Sequence, residues 1–163
     1  MEEIWKRIHT WLGANAPKGY GQLRPGATRE SISAAEETMG QQLPADVSAS
    51  YLVHDGQVDE PGLIGGEGWC LFSLREIVDH WQQWSHSQDR GRLPIARGGT
   101  GDYIFLDQLG SVMVQRRDRD VPDTVAPSFH SWLEDFADKL DTDEFAYSER
   151  DGCVMYADEI DID

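Results

Sequence analysis

Residues 96–115 read ARGGTGDYIFLDQLGSVMVQ and combine four glycines, two aspartates and two short apolar runs. A Walker-type phosphate loop needs a Gly-Lys-Ser/Thr ending, and a dinucleotide fingerprint follows a strand and opens a helix. This stretch has no lysine, and its glycines precede a β run. We therefore predict two strands, 103–106 and 112–115, joined by a tight turn at 107–110.

On both sides of this hairpin the sequence predicts helices that alternate with short strands. Thr28 is placed to cap one helix, and Ser73 with Glu76 forms a capping box for another. Apolar spacing predicts helices over 2–13, 29–39, 74–85 and 128–140, and one that begins at Pro44 and stops at Asp55-Gly56. Strand composition marks 69–72, 93–96, 145–147 and 153–156, and the final ADEIDID favours an edge strand. Residues 116–126 are expected to be a charged loop. Because turns join the strands, we expect an α+β fold with a mostly antiparallel sheet.

Length and composition fit one soluble domain. The 163 residues are enough for a single core, and no repeat or composition break divides them. No apolar run approaches the ~20 residues that span a bilayer, and the N-terminus lacks a signal-peptide core. We therefore expect a cytoplasmic protein that does not contact membranes. Cys70 and Cys153 are expected to be free buried thiols.

The formal net charge is −16, and it is unevenly distributed. Residues 134–163 contain twelve acidic residues and two basic ones, Lys139 and Arg150, so they carry −10 of that total. Such a charge repels nucleic-acid phosphates and favours a basic protein partner. A solubilising surface and a partner-directed surface both explain the acidic C-terminal region.

No arrangement of residues predicts catalysis or a metal site. The five histidines form no i, i+4 pair, the two cysteines lack zinc-knuckle spacing, and no Gly-x-Ser-x-Gly elbow is present. We predict no catalytic residues, no metal and no cofactor. Five of the six tryptophans have helical core spacing, whereas Trp69 follows GGEG and fits either a binding anchor or a strand core.

The order of motifs resembles the SUKH superfamily, which includes fungal cell-wall-assembly regulators and bacterial immunity proteins. The resemblance rests on RPGATRESISAAEETMGQQLPADVSASYLVHDGQ (24–57), on LPIARGGTGDYIFLD (93–107) and on VAPSFHSWLEDF (125–136). It covers residues 1–140 of a single domain over 1–163, so 141–163 is expected to be an acidic C-terminal extension. The resemblance implies an α+β fold and a protein that acts by binding.

We accordingly predict a non-enzymatic immunity protein that neutralises a cognate basic toxin, possibly a nuclease, as a monomer or weak homodimer. One alternative is a scaffold that regulates a cell-envelope synthesis enzyme. Another is a metal-assisted hydrolase that uses the acids of residues 55–67. The predicted contacts lie in loop 55–69 and beside the sheet: Asp55, Gln57, Asp59, Glu60, Glu67, Trp69, Asp102 and Asp107.

Overall fold

The structure is a computed structural model of the chain, and it describes residues 1–58, 61–87 and 89–160. Helices over these ranges are α1 (Glu2–Asn15), α2 (Pro17–Tyr20), α3 (Arg29–Met39), α4 (Ala45–Tyr51), α5 (Leu74–Trp84) and α6 (Phe129–Asp141). Strands are β1 (Cys70–Leu71), β2 (Leu93–Arg97), β3 (Tyr103–Leu106), β4 (Val112–Gln115), β5 (Asp123–Ala126), β6 (Phe145–Ser148) and β7 (Cys153–Tyr156). Within these ranges, none of the helices has both the length and the apolar character needed for a membrane span.

Side-chain caps fix where the helices begin. The Thr28 hydroxyl accepts a hydrogen bond from the Ser31 N–H, and Ser73 and Glu76 form a reciprocal capping box at α5. Both predicted starts are therefore confirmed. Pro44 is the residue before α4 and not its first residue, and α1 continues past Gly13 to Asn15.

The main sheet has the order β1-β2-β3-β4-β5 and is antiparallel throughout. Tyr103 pairs with Gln115 and Leu106 with Val112, so the predicted hairpin is confirmed. The predicted charged loop at 116–126 is wrong in its second half, where β5 pairs with β4. Three of the four β5 residues are exposed, so this edge strand carries no apolar pattern that would reveal it.

The core lies where the helices pack together and against the sheet. Trp5 is 1% exposed and donates its indole N–H to the Ser50 hydroxyl at 2.9 Å, which ties α1 to α4. The Tyr51 hydroxyl donates to the Phe72 carbonyl at 2.6 Å, which ties α4 to the chain beside the sheet. These buried hydrogen bonds satisfy polar groups that would otherwise be desolvated without partners. Cys70 and Cys153 are free and buried, as predicted.

Residues 145–156, expected to belong to an acidic extension, pack onto the core. β6 and β7 form a second antiparallel sheet in which Phe145 and Val154 are buried. The expected edge strand at the end of the chain is wrong in its described part. Residues 157–159 form a 3-10 helix, and Ile162 lies outside the described residues.

Candidate functional site

Two of the predicted contact residues come together at one end of the sheet. Arg116 lies between them, 2.8 Å from a Glu67 oxygen and 3.6 Å from an Asp102 oxygen. The hydrogen bond to Glu67 raises the pKa of the Arg116 guanidinium. Asp102 also accepts from the Arg117 N–H at 2.8 Å, and its side chain is only 14% exposed. Both carboxylates therefore hold the fold together, and Asp102 presents little charge to a partner.

The loop that carries Glu67 has an uncommon backbone. Four consecutive residues, Gly65 to Gly68, have positive φ, and one of them is Glu67 at 54°. A Cβ at Gly65 would lie 2.2 Å from the Trp132 ring, and one at Gly66 would lie 2.4 Å from the Phe145 ring. Glycine is required here both for the left-handed backbone and for the close approach to aromatic rings. The loop therefore packs against α6 and β6, although its composition predicts an exposed surface loop.

Gln57 and Trp69 are not surface residues. Gln57 is 1% exposed; its amide N–H group donates to the Pro61 carbonyl and its amide oxygen accepts from the Leu63 N–H. Trp69 is 3% exposed and lies directly before β1, so it is a core residue and not an exposed aromatic residue. The GGEG sequence is misleading because the glycines fold over buried rings.

Asp55 and Asp107 organise the backbone. An Asp55 carboxylate oxygen accepts from the Leu74 N–H at 2.7 Å, at the start of α5. One Asp107 oxygen accepts from the Leu109 and Ser111 N–H groups, each at 2.9 Å, and closes the β3–β4 turn. Both are half-buried and not freely exposed acids. Asp59 and Glu60, also predicted as contacts, lie outside the described residues.

The densest group of exposed carboxylates lies elsewhere, on α6 and the chain that follows it. We call the exposed carboxylates of residues 134–159 the acidic segment: Glu134, Asp135, Asp138, Asp141, Asp143, Glu144, Glu149, Asp151, Asp158 and Glu159. The Ala157 N–H donates to the Glu144 carbonyl at 2.9 Å, which brings Asp158 and Glu159 beside the C-terminal end of α6. The sequence revealed this charge, but none of these residues was among the predicted contacts.

Helix stability does not explain where these acids lie. The C-terminal end of a helix carries partial negative charge, so carboxylates there are unfavourable. Asp138 and Asp141 occupy the last turn of α6, and Arg7 of α1 binds both at 2.6 Å. Exposed ion pairs of this kind contribute ~1 kcal/mol or less. These two acids therefore contribute little to the stability of α6 itself, and Arg7 offsets part of their charge.

Two histidines distant in sequence form a pair beside Trp5. The His54 Nδ1 atom lies 2.6 Å from the Arg24 carbonyl oxygen, and the His54 and His9 Nε2 atoms are 2.7 Å apart. A carbonyl only accepts, so His54 carries its proton on Nδ1, and its Nε2 accepts from the Nε2–H of His9. Desolvation lowers the pKa of both rings, and the charge on His54 further lowers the pKa of His9.

We expect the His9–His54 pair to make the folded protein less stable in mild acid. Because the pKa values of both histidines in the folded protein lie below the ordinary value for histidine, the unfolded chain takes up protons first as the pH falls. The free energy of unfolding should therefore decrease from pH 7 to pH 5. His9→Gln keeps a donor to His54 and removes one titrating group, so its unfolding curve should depend less on pH over that range. His80, whose pKa burial also lowers, should leave part of the dependence in place.

Urea unfolding at pH 7, 6 and 5 measures this difference. His86→Gln, at an exposed position beyond α5, is the matched control and should follow the wild type. Equal pH dependence in His9→Gln and the wild type would contradict the assignment.

No group of three or more potential metal ligands converges among the residues that the structure describes. The His9–His54 contact is a hydrogen bond between rings.

A family model described as SMI1 / KNR4 family (SUKH-1) matches residues 26–135. The chain is similar to a Schizosaccharomyces pombe protein named cell wall biosynthesis/cell cycle regulator smi1, with 26% identity over 94% of this chain and 39% of the relative. It is also similar to the cell wall assembly regulator SMI1 of Saccharomyces cerevisiae, with 31% identity over 49% of this chain and 17% of the relative. F-box only protein 3 of Mus musculus is 33% identical over 40% of this chain and 14% of the relative. The chain thus spans well under half the length of these relatives.

Proposed function

Because the chain belongs to the SMI1/KNR4 family (SUKH-1), we propose that it is a bacterial immunity protein that binds and neutralises a cognate basic toxin. Family membership itself supports a non-enzymatic binding or regulatory role, since its fungal relatives are named as regulators. Binding of a basic toxin is the part of the proposal that goes beyond family membership. We further expect binding to take place in the cytoplasm.

The observation that carries this proposal is the acidic segment. It includes exposed carboxylates at the C-terminal end of α6, where they are repelled by the partial negative charge of the helix end. Arg7 neutralises only part of their charge. A basic toxin, such as a nuclease with a cationic phosphate-binding site, would find there a surface of opposite charge. Such a surface increases the association rate and can block the site used for phosphates.

The test begins with capture of the partner by the tagged chain from its own cells in low salt. The captured protein is then expressed with and without this chain. A basic protein whose toxicity is suppressed by co-expression supports the proposal. An acidic partner, or one without toxicity, overturns it.

Charge reversal at the acidic segment should weaken binding of the captured toxin. Asp158→Lys with Glu159→Lys should lower the association rate in low salt about tenfold, because electrostatic steering depends on the local field. Surface plasmon resonance at low and high salt measures the change. Glu37→Lys with Asp79→Lys makes the same charge change on exposed residues of α3 and α5 and should have a smaller effect. Equal effects of the two pairs would remove the acidic segment as the contact surface.

A second candidate function is regulation of a cell-envelope synthesis enzyme. Three of the relatives are named as regulators of cell-wall or glucan formation, which favours this candidate: the smi1 protein of Schizosaccharomyces pombe, the SMI1 of Saccharomyces cerevisiae and a glucan synthesis regulatory protein of Neurospora crassa. The same capture experiment separates the candidates, because this function requires an envelope enzyme in place of a toxin.

A further inference from the structure

The turn between β3 and β4 presents one leucine almost entirely to solvent. Leu109 is 90% exposed, the largest value among the exposed large hydrophobic residues of the described chain. Its backbone is fixed, since Asp107 accepts from the Leu109 and Ser111 N–H groups and Gly110 adopts a φ of 84°. A side chain held on a rigid turn loses little backbone entropy when it binds. The turn therefore presents a preorganised apolar group.

A cleft lies directly beside this turn. Its volume is about 400 Å³, and its walls are the 107–110 turn and the loop at 41–44, with Leu93 and Leu106 in its lining. Removal of one large buried apolar side chain leaves a cavity of roughly 150 Å³, so the cleft can accept a leucine. The opposite wall is also fixed, because the Leu43 N–H donates to the Glu36 carboxylate at 2.9 Å. We call the Leu109 turn and this cleft together the turn surface.

The turn surface is poor in charge. Among the described residues that line the cleft, only Asp107 is ionisable, and its carboxylate already accepts two backbone hydrogen bonds. The stretch of sequence that contains the turn, residues 86–133, has six aspartates and six arginines, a net charge of zero. The other parts of the chain carry −6 over 1–85 and −10 over 134–163. Two copies of a chain of net charge −16 repel one another least where they meet through the neutral part.

We propose that two copies of this chain associate through the turn surface, with Leu109 of each copy in the cleft of the other. The apolar group and the site that accepts it lie side by side on one surface, which is the arrangement a two-fold, self-complementary interface requires. The occupant is uncharged, and so is the described cleft lining apart from Asp107. Interface cores are depleted of charged residues in the same way. This association does not depend on the proposed toxin or on the acidic segment.

Its dependence on salt distinguishes it from the toxin complex. Repulsion between the net charges of the two copies is screened as ionic strength rises, so dimer formation should strengthen with salt. Binding of a basic toxin to the acidic segment should instead weaken with salt. Failure of one proposal therefore leaves the other testable.

Sedimentation velocity of the full chain over a range of concentrations, at 50 and 500 mM NaCl, tests the proposal. The wild type should pass from 18.4 kDa to twice that mass, at lower concentration in high salt. Leu109→Asp and Gln42→Glu each place a carboxylate in the interface and should raise the dimer Kd about tenfold or more, since burying a charge costs at least ~1.4 kcal/mol. Val121→Asp makes the same change at a valine that is 72% exposed and does not line the cleft, and should dimerise like the wild type.

Three results would overturn the proposal. They are a wild type that stays at 18.4 kDa at all concentrations, a dimer that weakens with salt, and a dimer that Val121→Asp disrupts as much as Leu109→Asp. Gln42→Glu is nearly isosteric at an exposed position, so its result stands even if Leu109→Asp alters the turn. Circular dichroism melts of each variant confirm that the fold is retained.

Discussion

Replacement of Gln57 by leucine should lower the free energy of unfolding by about 3 kcal/mol, because a buried polar group left without a partner costs ~1–3 kcal/mol. The Gln57 amide donates to the Pro61 carbonyl at 2.8 Å and accepts from the buried Leu63 N–H at 3.1 Å. Leucine can do neither, so both backbone groups lose their partner. Urea unfolding should show a lower midpoint with an unchanged m-value.

The matched control for this variant is Gln83→Leu, at an exposed position of α5. Exposed substitutions of this kind usually change stability by less than ~0.5 kcal/mol. An equally small loss of unfolding free energy in Gln57→Leu and Gln83→Leu would indicate that Gln57 is a surface residue. That is what the sequence-based prediction of a partner contact assumed.

Truncation of Phe145 to alanine should destabilise the protein by about 3–4 kcal/mol, the range for a large aromatic side chain removed from a core. Phe145 is 3% exposed, lies 5.8 Å from Phe136 and 4.7 Å from Tyr156 between ring centroids, and closes over Gly66. Its loss would loosen β6 and β7 from α6 and from the glycine loop. Thermal unfolding should show a Tm several degrees lower.

The outcome for Phe145→Ala decides whether the chain after residue 141 is part of the fold. A loosely attached acidic extension would tolerate the change with a loss below ~1 kcal/mol, like the control Val121→Ala at an exposed position. A loss of the expected size would show that the acidic segment is held by the same core as the rest of the chain.

Local chemistry made much of the fold predictable from sequence. Thr28 and Ser73 mark helix starts because their hydroxyls satisfy backbone N–H groups that the helix leaves unpaired. The β3–β4 hairpin follows from two apolar runs around a turn that Asp107 closes. The pairing of β6 with β7 follows from similar runs on either side of the SERDG turn at 148–152. Each of these features is decided within a few residues.

The errors arose where long-range contacts override local composition. β5 carries a polar, exposed sequence, and only its pairing with β4 makes it a strand. Trp69 lies among glycines that suggest an exposed loop, yet those glycines pack on Trp132 and Phe145, which come from distant segments. Gln57 is buried because it also bonds to distant residues: its side chain donates to Gln22, and its backbone hydrogen-bonds to Arg24 and Leu71. No local pattern distinguishes such residues from surface residues.

The contact between α1 and α6 has a consequence during synthesis of the chain. α1 presents Ile4, Trp5, Ile8 and Leu12 to a core that α6 helps to complete, and Arg7 binds Asp138 and Asp141. At translation rates of ~5–20 residues per second, roughly 6–25 s separate the emergence of the two helices. Throughout that interval the apolar side of α1 lacks its final neighbour. The nascent chain is therefore most vulnerable to aggregation before residues 134–163, which carry −10 of the net charge of −16, are made.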